Sequence, residues 1–257
     1  MGVAAFGGRV SGGVTAQVEI VEVFSSIQGE GRYVGYRQVF VRLAGCNLAC
    51  DYCDTPASRV AAATARVEAT PGGRDFFAVD NPLPVEALAG HVNSLLGAPH
   101  HSVSLTGGEP LCQAAELAEL APKLAGRLYL ETNGTMPDEL AAVLPHIDIV
   151  SMDIKLPSIS GRELWDEHER FLRLASTREV YVKLVLTAAT GDEEFRRALK
   201  LVAAVDSRIP VVLQPVTPVG RVAGIAPEAV LRLLAAALDV VDDVRVIPQT
   251  HKIMNQL

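Results

Sequence analysis

The chain has 257 residues, of which 49% are hydrophobic and 21% charged, with a formal net charge of −7. That length suffices for one large domain or two small ones with a sizeable core, and the acidic balance argues against a nucleic-acid partner. No run of 18 or more apolar residues offers a membrane span, and the N-terminus lacks the basic start and long apolar core of a secretory signal, so no membrane partner and a cytoplasmic location are expected.

Residues 1–16 are rich in glycine, carry no periodic apolar face and are read as a flexible tail. Residues 17–257 are expected to form one domain. Strands are predicted over 18–24 and 38–43, and a cysteine loop follows the second. Residues 57–82 start Ala-rich and then carry Pro71, Gly72, Gly73 and Pro82; they are read as a partly helical excursion. Beyond Leu83, apolar runs alternate with amphipathic segments. Helices are predicted over 84–96, 112–124, 137–144, 160–175, 192–205 and 227–238, and strands over 102–106, 127–132, 147–153, 179–187, 211–214 and 244–247. This alternation predicts an α/β fold of parallel strands with helical crossovers. The low aromatic content, 5%, suits an aliphatic core around buried parallel strands.

In such folds, sites gather at the C-terminal ends of the strands. Five polar motifs fall there: Thr106-Gly107-Gly108-Glu109-Pro110, Glu131-Thr132-Asn133-Gly134, Asp153-Ile154-Lys155, Gln214-Pro215-Val216-Thr217 and Pro248-Gln249-Thr250-His251-Lys252.

Three of the four cysteines are crowded as Cys46-x3-Cys50-x2-Cys53. A disulfide framework would spread them, and a chain of this size does not need one. Soft thiolates bind iron–sulfur clusters well. Three of them can hold three irons of a cubane and leave the fourth iron open to a cofactor. A zinc module is the alternative, but it would need a fourth ligand that no nearby histidine supplies. A non-catalytic electron carrier would call for four cluster cysteines. Cys112 is the only spare, and it is read as a packed core thiol.

The cysteine spacing, with Gly107-Gly108-Glu109-Pro110 after the next strand, resembles the radical S-adenosylmethionine superfamily. The segments Phe24-Ser25-Ser26-Ile27-Gln28-Gly29-Glu30-Gly31, Phe40-Val41-Arg42-Leu43-Ala44-Gly45-Cys46-Asn47-Leu48 and Cys53-Asp54-Thr55, with the closing Pro248-Gln249-Thr250-His251-Lys252, are similar to the 7-carboxy-7-deazaguanine synthase family. The similarity runs over residues 18–257. It implies an incomplete (β/α) barrel with a mostly parallel sheet, usually assembled as a homodimer. It also implies a [4Fe–4S] cluster, S-adenosylmethionine and Mg2+ as cofactors, and a flavodoxin- or ferredoxin-type reductant. The implied reaction is radical ring contraction of 6-carboxy-5,6,7,8-tetrahydropterin to 7-carboxy-7-deazaguanine with loss of ammonia, started by a 5′-deoxyadenosyl radical. A glycyl-radical-enzyme activase shares the cysteine loop but acts on a protein. The Gln28-Gly29-Glu30-Gly31 stretch and the C-terminal motif favour the pterin reaction.

Roles follow from the resemblance, residue by residue. Cys46, Cys50 and Cys53 are expected to hold the cluster, and Thr55 a magnesium ion. Ile27, Gln28, Gly29, Glu30, Arg42, Thr106 and the terminal Leu257 are expected to contact substrate. An amide and a carboxylate suit a pterin edge, and a guanidinium can pair bidentately with the substrate carboxylate. Gly108, Glu109, Asp153, Ile154, Lys155, Gln214, Pro215, Val216 and Thr217 are expected to bind S-adenosylmethionine. Glu131 and Asn133 are placed in the same pocket by position. His251 reads equally as a substrate contact or a structural histidine, and Trp165 as packing.

Overall fold

The computed structural model describes residues 16–256. The expected tail over 1–16, but for its last residue, and Leu257 lie outside the described residues. Twelve strands are present among them: β1 (Gln17–Val18), β2 (Ile20–Ile27), β3 (Arg37–Leu43), β4 (Thr64–Glu68), β5 (Phe76–Asp80), β6 (Leu83–Pro84), β7 (Ser102–Gly107), β8 (Leu128–Thr132), β9 (Ile149–Asp153), β10 (Glu179–Leu186), β11 (Val211–Pro215) and β12 (Val244–Val246). The helices are α1 (Val85–Leu95), α2 (Ala114–Leu120), α3 (Pro137–Val143), α4 (Pro157–Ser160), α5 (Trp165–Ala175), α6 (Asp192–Asp206), α7 (Pro227–Leu238) and α8 (Thr250–Met254).

Ten strands form one sheet in the order β12-β11-β10-β9-β8-β7-β3-β2-β4-β5. From β3 through β12 every neighbouring pair is parallel, while β2 runs antiparallel to β3 and β5 antiparallel to β4. The end strands β12 and β5 do not pair, so the sheet is an open, incomplete (β/α) barrel rather than a closed one.

Successive residues of a strand face opposite sides, and here the two sides carry different chemistry. One side is aliphatic. Val39, Val41 and Leu43 of β3, Val103 and Leu105 of β7, Leu128 and Leu130 of β8, and Val182 and Leu184 of β10 join a single core with residues of α1, α2, α3, α5, α6 and α7. The intervening residues face the barrel interior and include Arg42, Thr106, Glu131, Asp153, Lys183 and Gln214. Below that polar layer, Tyr129 and Tyr181 are fully buried with Ile149 and Val212 and fill the floor.

Local signals account for most element boundaries. Proline opens α3, α4 and α7, where a missing N–H costs nothing. Glu194 turns back to accept from the Gly191 N–H at the start of α6 (2.9 Å), whose first turn is acidic. The helix predicted over 160–175 is broken. The short α4 ends at Gly161, which takes φ +67, and α5 starts only at Trp165. The predicted 112–124 helix is confined to Ala114–Leu120, with tight 3-10 turns at Pro110 and Pro122 on either side.

Residues 57–82 depart most from expectation. Apart from a 3-10 turn at Pro56–Arg59, they form the antiparallel pair β4 and β5, which extends the sheet beyond β2. The alternation in Thr64-Ala-Arg-Val-Glu68 and Phe76-Phe-Ala-Val-Asp80 outweighs the helix-favouring alanines before them. Pro71-Gly72-Gly73 makes the turn. Glu68, buried, anchors it. Its carboxylate accepts from Ser25 N–H (2.8 Å), Gly72 N–H (3.1 Å) and Arg74 N–H (2.8 Å), tying the turn to β2. Truncating Glu68 to Ala orphans three backbone donors at once. It should lower unfolding free energy by about 2–3 kcal/mol in chemical denaturation.

Candidate active site

A cavity of about 450 Å3 opens at the C-terminal ends of the parallel strands. The structure brings to its wall the expected substrate contacts Ile27, Gln28, Gly29, Glu30, Arg42 and Thr106. Cys46, Cys50, Cys53 and Thr55 line it from the loop after β3. Of the expected cofactor contacts, Gly108, Asp153, Lys155, Gln214 and Val216 are on the wall, and Glu109, Ile154, Pro215 and Thr217 are not. Ile154 is buried and joins the aliphatic core, because it points to the opposite side from Asp153.

The cysteine loop sits where it does because two glycines admit it. Gly107 takes φ +136, and a Cβ there would lie 2.1 Å from the Leu43 carbonyl oxygen. A Cβ on Gly108 would lie 2.1 Å from the Gly45 carbonyl oxygen. That approach allows Glu109 N–H to donate to Gly45 O (2.8 Å), locking the exit of β7 to the entry of the loop. Farther along, Asn47 accepts from the Asn133 amide (2.7 Å) and donates to Thr135 Oγ1 (2.9 Å), and Arg59 donates to Cys50 O (2.9 Å).

All three loop cysteines are free and partly exposed. Burial pushes the Cys46 and Cys50 thiols up, with the Lys155 charge opposing it at Cys50. Among the described residues, the one group of three potential ligands lying within 4.8 Å of one another is Glu30, Asp54 and His251. The three sulfurs thus do not all lie within 4.8 Å of one another. Three free thiols of one short loop on one cavity wall suit the soft iron of a multi-iron cluster. Cys112, expected in the core, is exposed instead. It lies on the 3-10 turn after Pro110, where Leu111 takes the inward position.

Glu109 is fully buried and does not line the cavity. It accepts from Thr132 Oγ1 (2.8 Å), Asn133 N–H (2.7 Å) and Leu111 N–H (3.2 Å). It thus shapes the β8 exit, which delivers Glu131, Thr132 and Asn133 to the wall. Beneath that turn lies His168, whose Nε2 donates to Asn133 O (3.1 Å) and whose pKa burial pushes down to about 4.

Near the end of β2, Gln28 is fully committed as a donor. Its amide gives one bond to Gln38 Oε1 (3.0 Å) and one to Glu131 Oε1 (2.7 Å), while its oxygen accepts from Glu30 N–H (3.0 Å). Glu131 also accepts from Ser104 Oγ and Thr106 Oγ1. This end of the cavity therefore offers acceptors, which suits a ligand edge rich in N–H donors. Arg42 is held through Nε by Glu22 Oε1 at 2.9 Å, beside the Phe24 ring. Sequence reasoning found Arg42 but not its anchor on β2.

The C-terminal segment closes the wall. Gln249 donates to both Glu30 Oε1 (2.7 Å) and Asp54 Oδ2 (2.9 Å), and Lys252 lies 3.4 Å from Asp54. His251 packs on Gly29 so closely that a Cβ there would fall 2.4 Å from its own Cβ. The lining residues that escaped the assignments include Tyr52, Arg59, Lys183, Gln249 and Lys252. Lys183 had a readable signal, being the one charge inside the otherwise apolar Val180-Tyr-Val-Lys183-Leu-Val-Leu186.

Comparisons with known proteins agree with this construction. The family model described as the radical SAM superfamily matches residues 41–202. A 7-carboxy-7-deazaguanine synthase from Geobacter sulfurreducens is 49% identical over 245 residues, covering 93% of this chain and 98% of that protein. The enzyme of the same name from Methanothermobacter thermautotrophicus is 36% identical over 261 residues, covering 93% and 98%. The crystal structure of QueE from Escherichia coli superposes with a TM-score of 0.59 at 22% identity, covering 91% of this chain and 95% of that one, and so shares the fold. The chain belongs to the radical S-adenosylmethionine superfamily, whose members use a [4Fe–4S] cluster and S-adenosylmethionine. Within it, the chain belongs to the 7-carboxy-7-deazaguanine synthase family.

Burial pushes the Glu109 carboxyl up to about 7, against hydrogen bonds that lower it. A raised folded-state pKa means that the folded chain holds a proton more tightly than the unfolded one. Stability should therefore fall as pH rises from about 4.5 to about 7, by on the order of 3 kcal/mol in total. Thermal denaturation of cluster-free protein across that range should show this slope, and Glu109→Gln should flatten it. A second test addresses the glycine contact. Gly108→Ala should drive the loop off β7 and lower iron and sulfide content after anaerobic reconstitution, with the fold retained by circular dichroism.

Proposed function

We propose that this chain catalyses the radical-mediated ring contraction of 6-carboxy-5,6,7,8-tetrahydropterin to 7-carboxy-7-deazaguanine, with loss of ammonia. One observation carries the reading. The three free thiols of the loop and an acceptor-lined recess for a flat, donor-edged ring share one cavity in a chain 49% identical to a protein of that name.

Cys46, Cys50 and Cys53 would hold the cluster. Bound there, the cluster and S-adenosylmethionine supply the 5′-deoxyadenosyl radical that starts the reaction. The residues of the chain bind and orient around that event. Arg42, fixed by Glu22 on its Nε side, presents its terminal nitrogens to the substrate carboxylate. Burial opposes ionisation of Glu30, but Lys183, Gln249 and His251 more than offset it and hold its pKa at about 2. Glu30 is thus an anion at every working pH and accepts from ring N–H groups. Thr106, already bonded to Glu131, offers its hydroxyl oxygen alongside. On the cofactor side, Gly108 lets the ligand approach the backbone, and Lys155 sets a cation between Asp153 and Tyr52.

Thr55 and the neighbouring Asp54 supply hard oxygens suited to Mg2+ shared with the substrate. The homodimer and the flavodoxin- or ferredoxin-type reductant are carried over from the family. A cytoplasmic setting suits three thiols that must stay reduced. No described helix is long and apolar enough to cross a membrane.

Anaerobic incubation of reconstituted protein with the pterin, S-adenosylmethionine and dithionite should yield 7-carboxy-7-deazaguanine by mass analysis. Cofactor cleavage without that product would overturn the assignment. Arg42→Lys, which loses the planar fork, should raise the KM for the pterin about tenfold, equivalent to 1.4 kcal/mol. The dissociation constant of S-adenosylmethionine should stay within about twofold, a change of only ~0.4 kcal/mol.

A further inference from the structure

Four of the charges in the cavity form a single file rather than two separate pairs. Starting from the substrate end, Glu30 Oε2 meets Lys183 Nζ at 2.5 Å. The same nitrogen lies 3.3 Å from Asp153 Oδ1. The other oxygen of that carboxylate, Oδ2, meets Lys155 Nζ at 2.8 Å, and Lys155 continues to the Tyr52 hydroxyl at 2.9 Å within the cysteine loop. Carboxylate, ammonium, carboxylate and ammonium thus alternate from the segment after β2 to the loop that carries Cys50 and Cys53.

Lys183 is the link between the halves. It is buried in the middle of β10, and Tyr181 two residues below it closes the floor. Burial alone would lower its pKa, but Asp153, Glu30 and Glu131 more than offset that and keep it protonated. A buried ammonium shared between two carboxylates cannot move toward one without loosening the other.

We propose that Lys183 is a positioning residue that couples the two halves of the cavity, so that a donor-edged ring bound at Glu30 tightens the binding of S-adenosylmethionine on the Asp153–Lys155 side. The inference rests on the assignment of the two subsites given above. When ring N–H groups engage Glu30, its hold on Lys183 weakens and the ammonium shifts toward Asp153. Asp153 then needs Lys155 less, and Lys155 is released to meet an anionic group of the cofactor. Linkage requires the effect to be reciprocal.

The test measures binding rather than turnover. The dissociation constant of S-adenosylmethionine for the reconstituted, unreduced holoenzyme is measured by equilibrium dialysis with and without saturating pterin. Wild type should show about fivefold or greater tightening. Lys183→Met should bring the ratio close to one while each ligand alone still binds, and Lys183→Arg should restore most of it. Lys183→Gln replaces the Met variant if thermal denaturation shows the latter unfolded. A wild-type ratio of one, or an unchanged ratio in the uncharged variants, overturns the coupling role. Failure of the pterin to bind wild type at all instead overturns the assignment of substrate, and the two failures are read from different arms of the same experiment.

Discussion

The exit of β7 touches the exit of β3 backbone to backbone, and the geometry of the cavity follows from that contact. With no Cβ at Gly107 or Gly108, the Glu109 N–H reaches the Gly45 carbonyl. The cysteine loop therefore leaves the sheet at a fixed place beside the turn that follows β7. Glu109 passes the constraint on, because its buried carboxylate accepts from one N–H and one hydroxyl of the neighbouring β8 exit. Three consecutive strand ends are held in register by main-chain bonds and one carboxylate, without relying on packing of the loop itself.

Gathering several ions in one cavity, some of them buried, is expensive unless each finds a partner. Here the partners are supplied by different stretches of chain: Glu30 after β2, Asp54 in the cysteine loop, Asp153 and Lys155 at β9, Lys183 on β10, and Gln249 and Lys252 at the C-terminal end. The ion-pair file thus acts as a cross-brace between elements far apart in sequence. It also explains why the carboxylates Glu30 and Asp54 and His251 can stand close together. Gln249 bridges the two acids, and a lysine stands beside each.

Much of this architecture could be read from the residues. The seven-strand parallel run and its crossovers followed from apolar runs alternating with amphipathic segments, and the cysteine spacing with the glycine motif pointed to the cofactor. What escaped depended on contacts distant in sequence. Nothing local reveals that Glu68 caps a turn against β2, or that alternation in 64–68 and 76–80 defeats an alanine-rich lead-in. Side-chain direction was equally hidden in Glu109, Ile154, Pro215 and Thr217. A motif fixes which residues sit at a strand end, but pleat and local bonding decide which of them face inward. Cys112 shows the same limit on a 3-10 turn, where Leu111 rather than the thiol turns inward.

The two-faced character of the strands has a consequence for how such a scaffold changes over time. Residues that hold the sheet to its helices and residues that line the cavity alternate along the same strands and point to opposite sides. Substitutions at Val185 or Gln214 can therefore drift toward another chemistry while Leu184 and Leu213 go on securing the framework. Retooling and durability are inherited on opposite sides of one ribbon, so a lineage can explore new substrates without first reinforcing its foundations.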